Sequence, residues 1–315
     1  MLRRSNILSN SSPPLKILVL LLIIFLSILF SMIFGIALGF AFFGTGMLDY
    51  MKEGMNLTDP AYLPMLQYLQ IINTIGIFII PSILFAALAD KSISRYLSMK
   101  VKPGFVSTIT GMAVIIAILP FIHWVVDINE MMALPEWLSG LENWMRRSED
   151  QAKELTDMFL QTSSVGGLIL NLFMIAVLPA IGEELLFRGA LLRLFREWTK
   201  NPHFAVLISA FLFSALHLQF YGFLPRFILG IVLGYLFIWT RSIWVPVLVH
   251  FVNNGIAVAG AWYFSRRGID KDIESIGEVD QTGIIIFSLI MVVVMMLMIR
   301  LYERKKKGST IDASP

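Results

Sequence analysis

Read as a pattern of apolar and polar positions, the chain breaks into eight long apolar segments, at about 17–43, 69–89, 104–126, 164–187, 203–217, 225–240, 243–263 and 282–301. A helix needs about 20 apolar residues to cross the hydrocarbon of a bilayer, so the pattern predicts an all-α, polytopic membrane bundle of about eight helices. The first run, Ile17 to Phe43, follows Arg3, Arg4 and Lys16 but is longer than the roughly 7–15 apolar residues of a signal-peptide core, and it reads as an uncleaved span. The fifth and sixth segments are short. Gly222 and Pro225 between them suit a hairpin packed inside the bundle, because broken backbone at membrane depth must be shielded from lipid. Between the third and fourth segments, Leu134, Trp137, Leu138, Leu141, Trp144 and Met145 recur at helical spacing, with Glu136, Glu142, Arg146 and Arg147 interspersed and Pro135 suited to a first helical turn. This stretch reads either as an amphipathic helix on the outer interface or as a solvated loop helix.

Composition fits a membrane protein: 57% of residues are hydrophobic, 15% charged, and mean hydropathy is +0.75. The net charge of +3 gives no sign of a nucleic-acid partner. With no cysteine, disulfides, iron–sulfur clusters and thiolate zinc sites are excluded. If the N-terminus is cytoplasmic and eight spans alternate, the inside holds 17 of the 25 basic residues: Arg3, Arg4, Lys16, Lys91, Arg95, Lys100, Lys102, Arg188, Arg193, Arg196, Lys200, Arg241, Arg300, Arg304 and Lys305–Lys307. That bias favours both termini inside, in a cell membrane. Trp124, Trp198, Trp239, Trp244 and Trp262 fall near segment ends, where an interfacial aromatic belt accounts for them. His123 and His203 also lie near ends and read as interfacial, and the 17 methionines read as apolar packing.

Charges inside apolar segments are expensive and mark function or pairing. The fourth segment ends on Glu183, Glu184 and Arg188. Glu184 and Arg188 are i,i+4 and share a face, whereas Glu183 points about 100° away and is free to act as a general base. The fifth segment carries Phe213 and His217. The seventh carries His250 and Asn254, again i,i+4, an imidazole and an amide able to donate hydrogen bonds to an oxyanion. His217 can share a water with Glu183. Other readings exist: a structural ion-pair cluster with packing histidines, a zinc site of two histidines and a carboxylate with a position left for water, or a transporter with buried charges.

Glu-Glu-x-x-x-Arg at 183–188, Phe-x-x-x-His at 213–217 and His-x-x-x-Asn at 250–254 resemble the three motifs of the CPBP family, which includes type II CAAX prenyl endopeptidases and bacteriocin-immunity proteins. The resemblance covers about 165–262. It divides the chain into N-terminal spans with the amphipathic stretch (1–163), a protease-like core (164–263), and a last span with a basic tail (264–315). It implies an intramembrane glutamate endopeptidase without cofactors, acting on a membrane-embedded or lipid-anchored protein or peptide. Glu183 and His217 would activate water, His250 and Asn254 would stabilise the oxyanion, and Glu184, Arg188 and Phe213 would support the site. A non-catalytic immunity or chaperone factor is the alternative within the family. The segment boundaries set a geometric problem, since they put Glu183 and Arg188 near the inner face and His217 well across the bilayer. Either the fourth helix extends past Arg188 into Ala190–Trp198, or the fifth is tilted or partly re-entrant.

Overall fold

The computed structural model describes residues 7–52, 59–269, 276–279 and 281–312, with side chains as far as Lys306. Its elements are α1 (Pro13–Phe43), α2 (Pro60–Ala89), α3 (Phe105–Glu130), α4 (Ser139–Leu160), α5 (Val165–Thr199), α6 (Pro202–Ala215), α7 (Phe223–Thr240), α8 (Trp244–Arg267) and α9 (Thr282–Asp312). Short helical turns at Gly46–Lys52 and Ile93–Tyr96 join them. No strand occurs among the described residues. Among the described residues seven helices are long and apolar enough to span a membrane, and α6 is a shorter apolar helix of 14 residues. The chain is an integral, multi-pass membrane protein.

The largest departure from the segment boundaries lies in α5. The apolar run stops near Phe187, but the helix continues to Thr199. Beyond Arg188 the sequence turns amphipathic: Leu192, Leu194 and Phe195 are buried, while Arg196 is exposed. The stop is local. Lys200 takes a left-handed backbone (φ 56°), Asn201 caps the next helix by accepting from the His203 and Phe204 amides, and Pro202 occupies its first turn. Consequently Arg188 does not sit at the inner surface, as the charge count places it. It is fully buried in mid-bundle, and 16 basic residues remain in that inner set.

Neighbouring helices approach closely where a side chain is missing. A Cβ on Gly230 of α7 would stand 2.9 Å from the Ala210 Cβ of α6, and one on Gly182 of α5 would stand 2.9 Å from the Phe78 Cβ of α2. In a bilayer, where apolar contact with lipid is nearly as good as contact with protein, such close approach is a main source of helix association. The hairpin of α6 and α7 packs together as its sequence suggests, α9 runs along α3, and α8 lies against α3 and the first half of α5.

The two ends of the bundle differ. One gathers Lys16, paired with Glu197 at 2.7 Å, and the loop 97–104, tied to the start of α8 by Trp244 Nε1 donating to Met99 O at 2.8 Å. Trp244 is thus a half-buried tether rather than a simple belt residue. At this end Asp90 is held below the usual carboxylate range by Arg95, which donates to it at 2.6 Å. Tyr96, nearby, is pushed up to about 12, chiefly by burial. The opposite end carries α4. A 3₁₀ turn at Glu136–Leu138 precedes it, with Pro135 one residue outside the first turn. Trp137 is 80% exposed, Trp144 is also exposed but meets the Phe220 ring at a tilt with centres 5.5 Å apart, and Phe159 is buried.

Candidate functional site

The extension of α5 resolves the depth problem. Glu183 lies 16 residues before Thr199, and His217 lies 15 residues after Pro202. At about 1.5 Å per residue, each is roughly 22–24 Å from the α5–α6 turn, so the antiparallel pair brings them to the same level.

Two π-helical turns interrupt α5, at Leu172–Val177 and Leu185–Leu191. Such turns recur at functional sites. The second begins directly after Glu184 and contains Arg188. The arginine is completely buried and its Nη1 donates to Glu184 Oε1 at 2.8 Å, as the i,i+4 spacing predicts. Its Nη2 donates to the Gly230 carbonyl at 3.0 Å, so a cation that could not be left unpaired in the membrane is bound on two sides. The guanidinium carbon also stands 4.8 Å from the centre of the Phe213 ring, a cation–π contact.

Phe213 is the hub of the cluster. Its ring centre is 5.2 Å from that of His217, 5.8 Å from that of His250 and 5.2 Å from that of Phe187, all edge-on. His250, 3% exposed, stands between the two glutamates. Its Nδ1–H donates to Glu184 Oε1 at 3.0 Å, and Nε2 faces Glu183 Oε2 at 3.9 Å. Glu184 Oε1 therefore serves both Arg188 and His250. Glu183 is 7% exposed, and its Oε2 has no hydrogen-bond partner among the described residues. Buried polar atoms in that condition call for water as a partner or for a chemical role.

His217 sits just past the end of α6, with Nδ1–H donating to Phe213 O at 2.7 Å. That bond leaves its Nε2 as the nitrogen with a free lone pair. Asn254 Nδ2 donates to Ile175 O at 3.0 Å, inside the first π turn, and its Oδ1 accepts from Asn253 at 3.0 Å. The Asn254 amide has two N–H groups, so one remains for another acceptor. Six of the seven sequence-derived positions are thus joined by direct contacts, and Asn254 lies one helical turn beyond His250 on α8 with its amide held by Ile175 O. Among the described residues no group of three His, Asp or Glu side chains is placed to hold a metal ion.

Sequence reasoning missed the clamp on the His217 loop. Asn129, at the end of α3 and 3% exposed, donates from Nδ2 to Phe220 O at 2.9 Å and accepts at Oδ1 from the Leu224 amide at 2.7 Å. It spans the break between α6 and α7. From the other side, Glu149 of α4 accepts from the Tyr221 amide at 3.0 Å, and Arg146 lies 4.5 Å above the Tyr221 ring. A lone asparagine past the end of an apolar run has no spacing pattern, so nothing in the sequence marks it. His203, exposed in the first turn of α6, meets Tyr235 Oη through Nδ1 at 2.8 Å, and His123 Nδ1 is 3.6 Å from Asp127.

Residues 165–256 match the model of the family described as type II CAAX prenyl endopeptidase Rce1-like, which bears out the resemblance read from the motifs. An uncharacterized 24.3 kDa protein of Escherichia coli is 33% identical over 102 residues, a match covering 30% of this chain and 46% of that protein. The match thus spans about half the length of that curated relative. No solved structure matches.

Proposed function

Taking the Rce1-like region at 165–256 as premise, we propose that this protein is a glutamate intramembrane endopeptidase that cleaves a membrane-embedded or lipid-anchored protein or peptide by direct attack of water. The observation that carries this reading is the Glu183 carboxylate: buried, unbonded at Oε2, and 3.9 Å from Nε2 of His250, whose ring packs with His217 around Phe213.

The chemistry balances with these groups alone. Glu183, aided by His217 Nε2, takes a proton from water as its oxygen bonds to the scissile carbonyl carbon. The carbonyl oxygen becomes an oxyanion, which accepts from the second N–H of Asn254 and from Nε2–H of a His250 ring that carries hydrogen on both nitrogens. Collapse of the tetrahedral intermediate breaks the C–N bond, and Glu183 returns its proton to the leaving amine. Glu184 fixes the His250 ring, and Arg188 in turn anchors Glu184. The enzyme forms no covalent intermediate.

New peptide termini in membranes of the native host, compared between wild type and Glu183→Ala, test the reading. Discrete products absent from the mutant are expected. Matching profiles, with a cellular phenotype that needs the protein but not Glu183, would establish a non-catalytic factor instead. This mechanism is metal-independent, so cleavage should persist after stripping with a strong chelator. Loss that added zinc restores would overturn it. The basic end of the bundle is assigned to the cytoplasm.

Asn129 acts here as a positioning residue. Asn129→Leu leaves Phe220 O and the Leu224 amide without their buried partner, a cost of about 1–3 kcal/mol. Because this releases the loop that carries His217, kcat should fall while KM changes little. Asn129→Asp, which keeps the acceptor for Leu224, should recover part of the loss.

A further inference from the structure

A second built feature lies at the basic end, on the same helix as the glutamates but outside their cluster. A cavity of about 360 Å³ opens between the last turns of α5 and α7 and the loop after the Ile93–Tyr96 turn. Arg193, Arg196 and Arg241 line it together with Ser98, and Leu192 and Phe237 form apolar wall. No carboxylate lines it.

Arg193 is held in place rather than solvated. Its Nη2 donates to Ser98 Oγ, and its guanidinium carbon lies 5.5 Å from the Tyr96 ring centre and 5.6 Å from that of Phe237. Its Nε is buried without a hydrogen-bond partner. Arg196 and Arg241 are exposed and make no salt bridge among the described residues. The nearby acids are committed elsewhere, Glu197 to Lys16 and Asp90 to Arg95. Ser98 and Arg241 both adopt left-handed backbone (φ 56° and 58°), a conformation that glycine takes more readily. Two side chains at this cavity are therefore kept where the backbone alone would favour none.

Three guanidinium groups around one partly apolar cavity repel one another unless an anion sits among them. Guanidinium is suited to phosphate, which it can bind through two parallel hydrogen bonds. The cavity lies at the end of the bundle where the spans leave the bilayer, so a phosphate and an apolar chain can be met together. We propose that this cavity is a binding site for the phosphate of an anionic membrane phospholipid, with the arginines on the headgroup and Leu192 and Phe237 against the start of an acyl chain.

The test uses binding and does not depend on protease activity. The full chain is reconstituted in nanodiscs of phosphatidylcholine with graded phosphatidylglycerol, and lipids retained after transfer to detergent are counted by native mass spectrometry. Wild type is expected to retain phosphatidylglycerol over phosphatidylcholine, and the double variant Arg196→Gln/Arg241→Gln to lose about 30-fold of that preference. Both side chains are exposed, so the variant should fold, which an unchanged melting temperature in pure phosphatidylcholine would verify. Arg304→Gln/Lys305→Gln in the tail is the control and should keep the preference. The proposal fails if wild type shows no preference, or if the tail variant loses as much as the cavity variant, which would indicate diffuse attraction. It also fails if inorganic phosphate in pure phosphatidylcholine discs raises the melting temperature of wild type but not of the cavity variant while phosphatidylglycerol has no effect. That outcome would assign the cavity to a soluble phosphate compound.

Discussion

Glu183→Gln is expected to slow peptide hydrolysis by about 10²–10⁴-fold, the range lost when a positioned general base is removed, with the fold intact. Glutamine keeps the shape of the side chain and removes only its charge and basicity. The Arg188–Glu184 pair at 2.8 Å and the His250–Glu184 bond at 3.0 Å do not involve Glu183. Thermal unfolding in detergent should therefore match wild type or rise slightly, since a buried carboxylate has been neutralised. Turnover and melting temperature, measured on the same preparation, separate two roles. Lost turnover at constant stability marks a base, whereas lower stability with turnover falling only in proportion marks a structural ion-pair member.

Arg188→Met should have the opposite signature. It deletes the cation bonded to Glu184 and Gly230 O and stacked on Phe213, leaving two buried carboxylates facing His250. Breaking a buried pair by removing one partner costs about 3–5 kcal/mol, which should appear as a large drop in unfolding temperature and poor membrane accumulation. Adding Glu184→Gln should return part of that stability, because the uncompensated charge is then gone. If the single variant were as stable as wild type, Arg188 would not be the electrostatic anchor of the site.

Much of this arrangement was legible in sequence, for reasons that apply residue by residue. Charges in apolar runs are few, so Glu183, Glu184 and Arg188 stand out without a structure, and helical spacing alone pairs 184 with 188. Phe213, His217, His250 and Asn254 were found by motif. What they do to one another was less accessible. The sequence assigns His250 to an oxyanion but does not encode that Glu184 holds the ring through Nδ1, which leaves Nε2 for that role. Hydrophobicity ends the fourth span near 187 because the helix turns amphipathic there. The real stop, Lys200–Asn201–Pro202, is a capping signal that a hydropathy reading passes over. Asn129 and Glu149 act through main-chain atoms of a loop, contacts that side-chain periodicity does not encode.

The π turn at Leu185–Leu191 has a consequence for how this helix tolerates change. A π turn is in effect an α-helix with one residue too many, and each residue turns the helix by about 100°. Deleting one residue within 189–191, past Arg188, would relax the turn towards ordinary α-helix while keeping the four-residue spacing that pairs Glu184 with Arg188. A single insertion just outside the turn would add a residue without removing the bulge, and would swing Leu192, Arg193 and Arg196 onto a different face. The helix should therefore absorb a one-residue gap after Arg188 more readily than a one-residue addition beside the turn, and length variation in related sequences should fall within 189–191 rather than between Glu184 and Arg188.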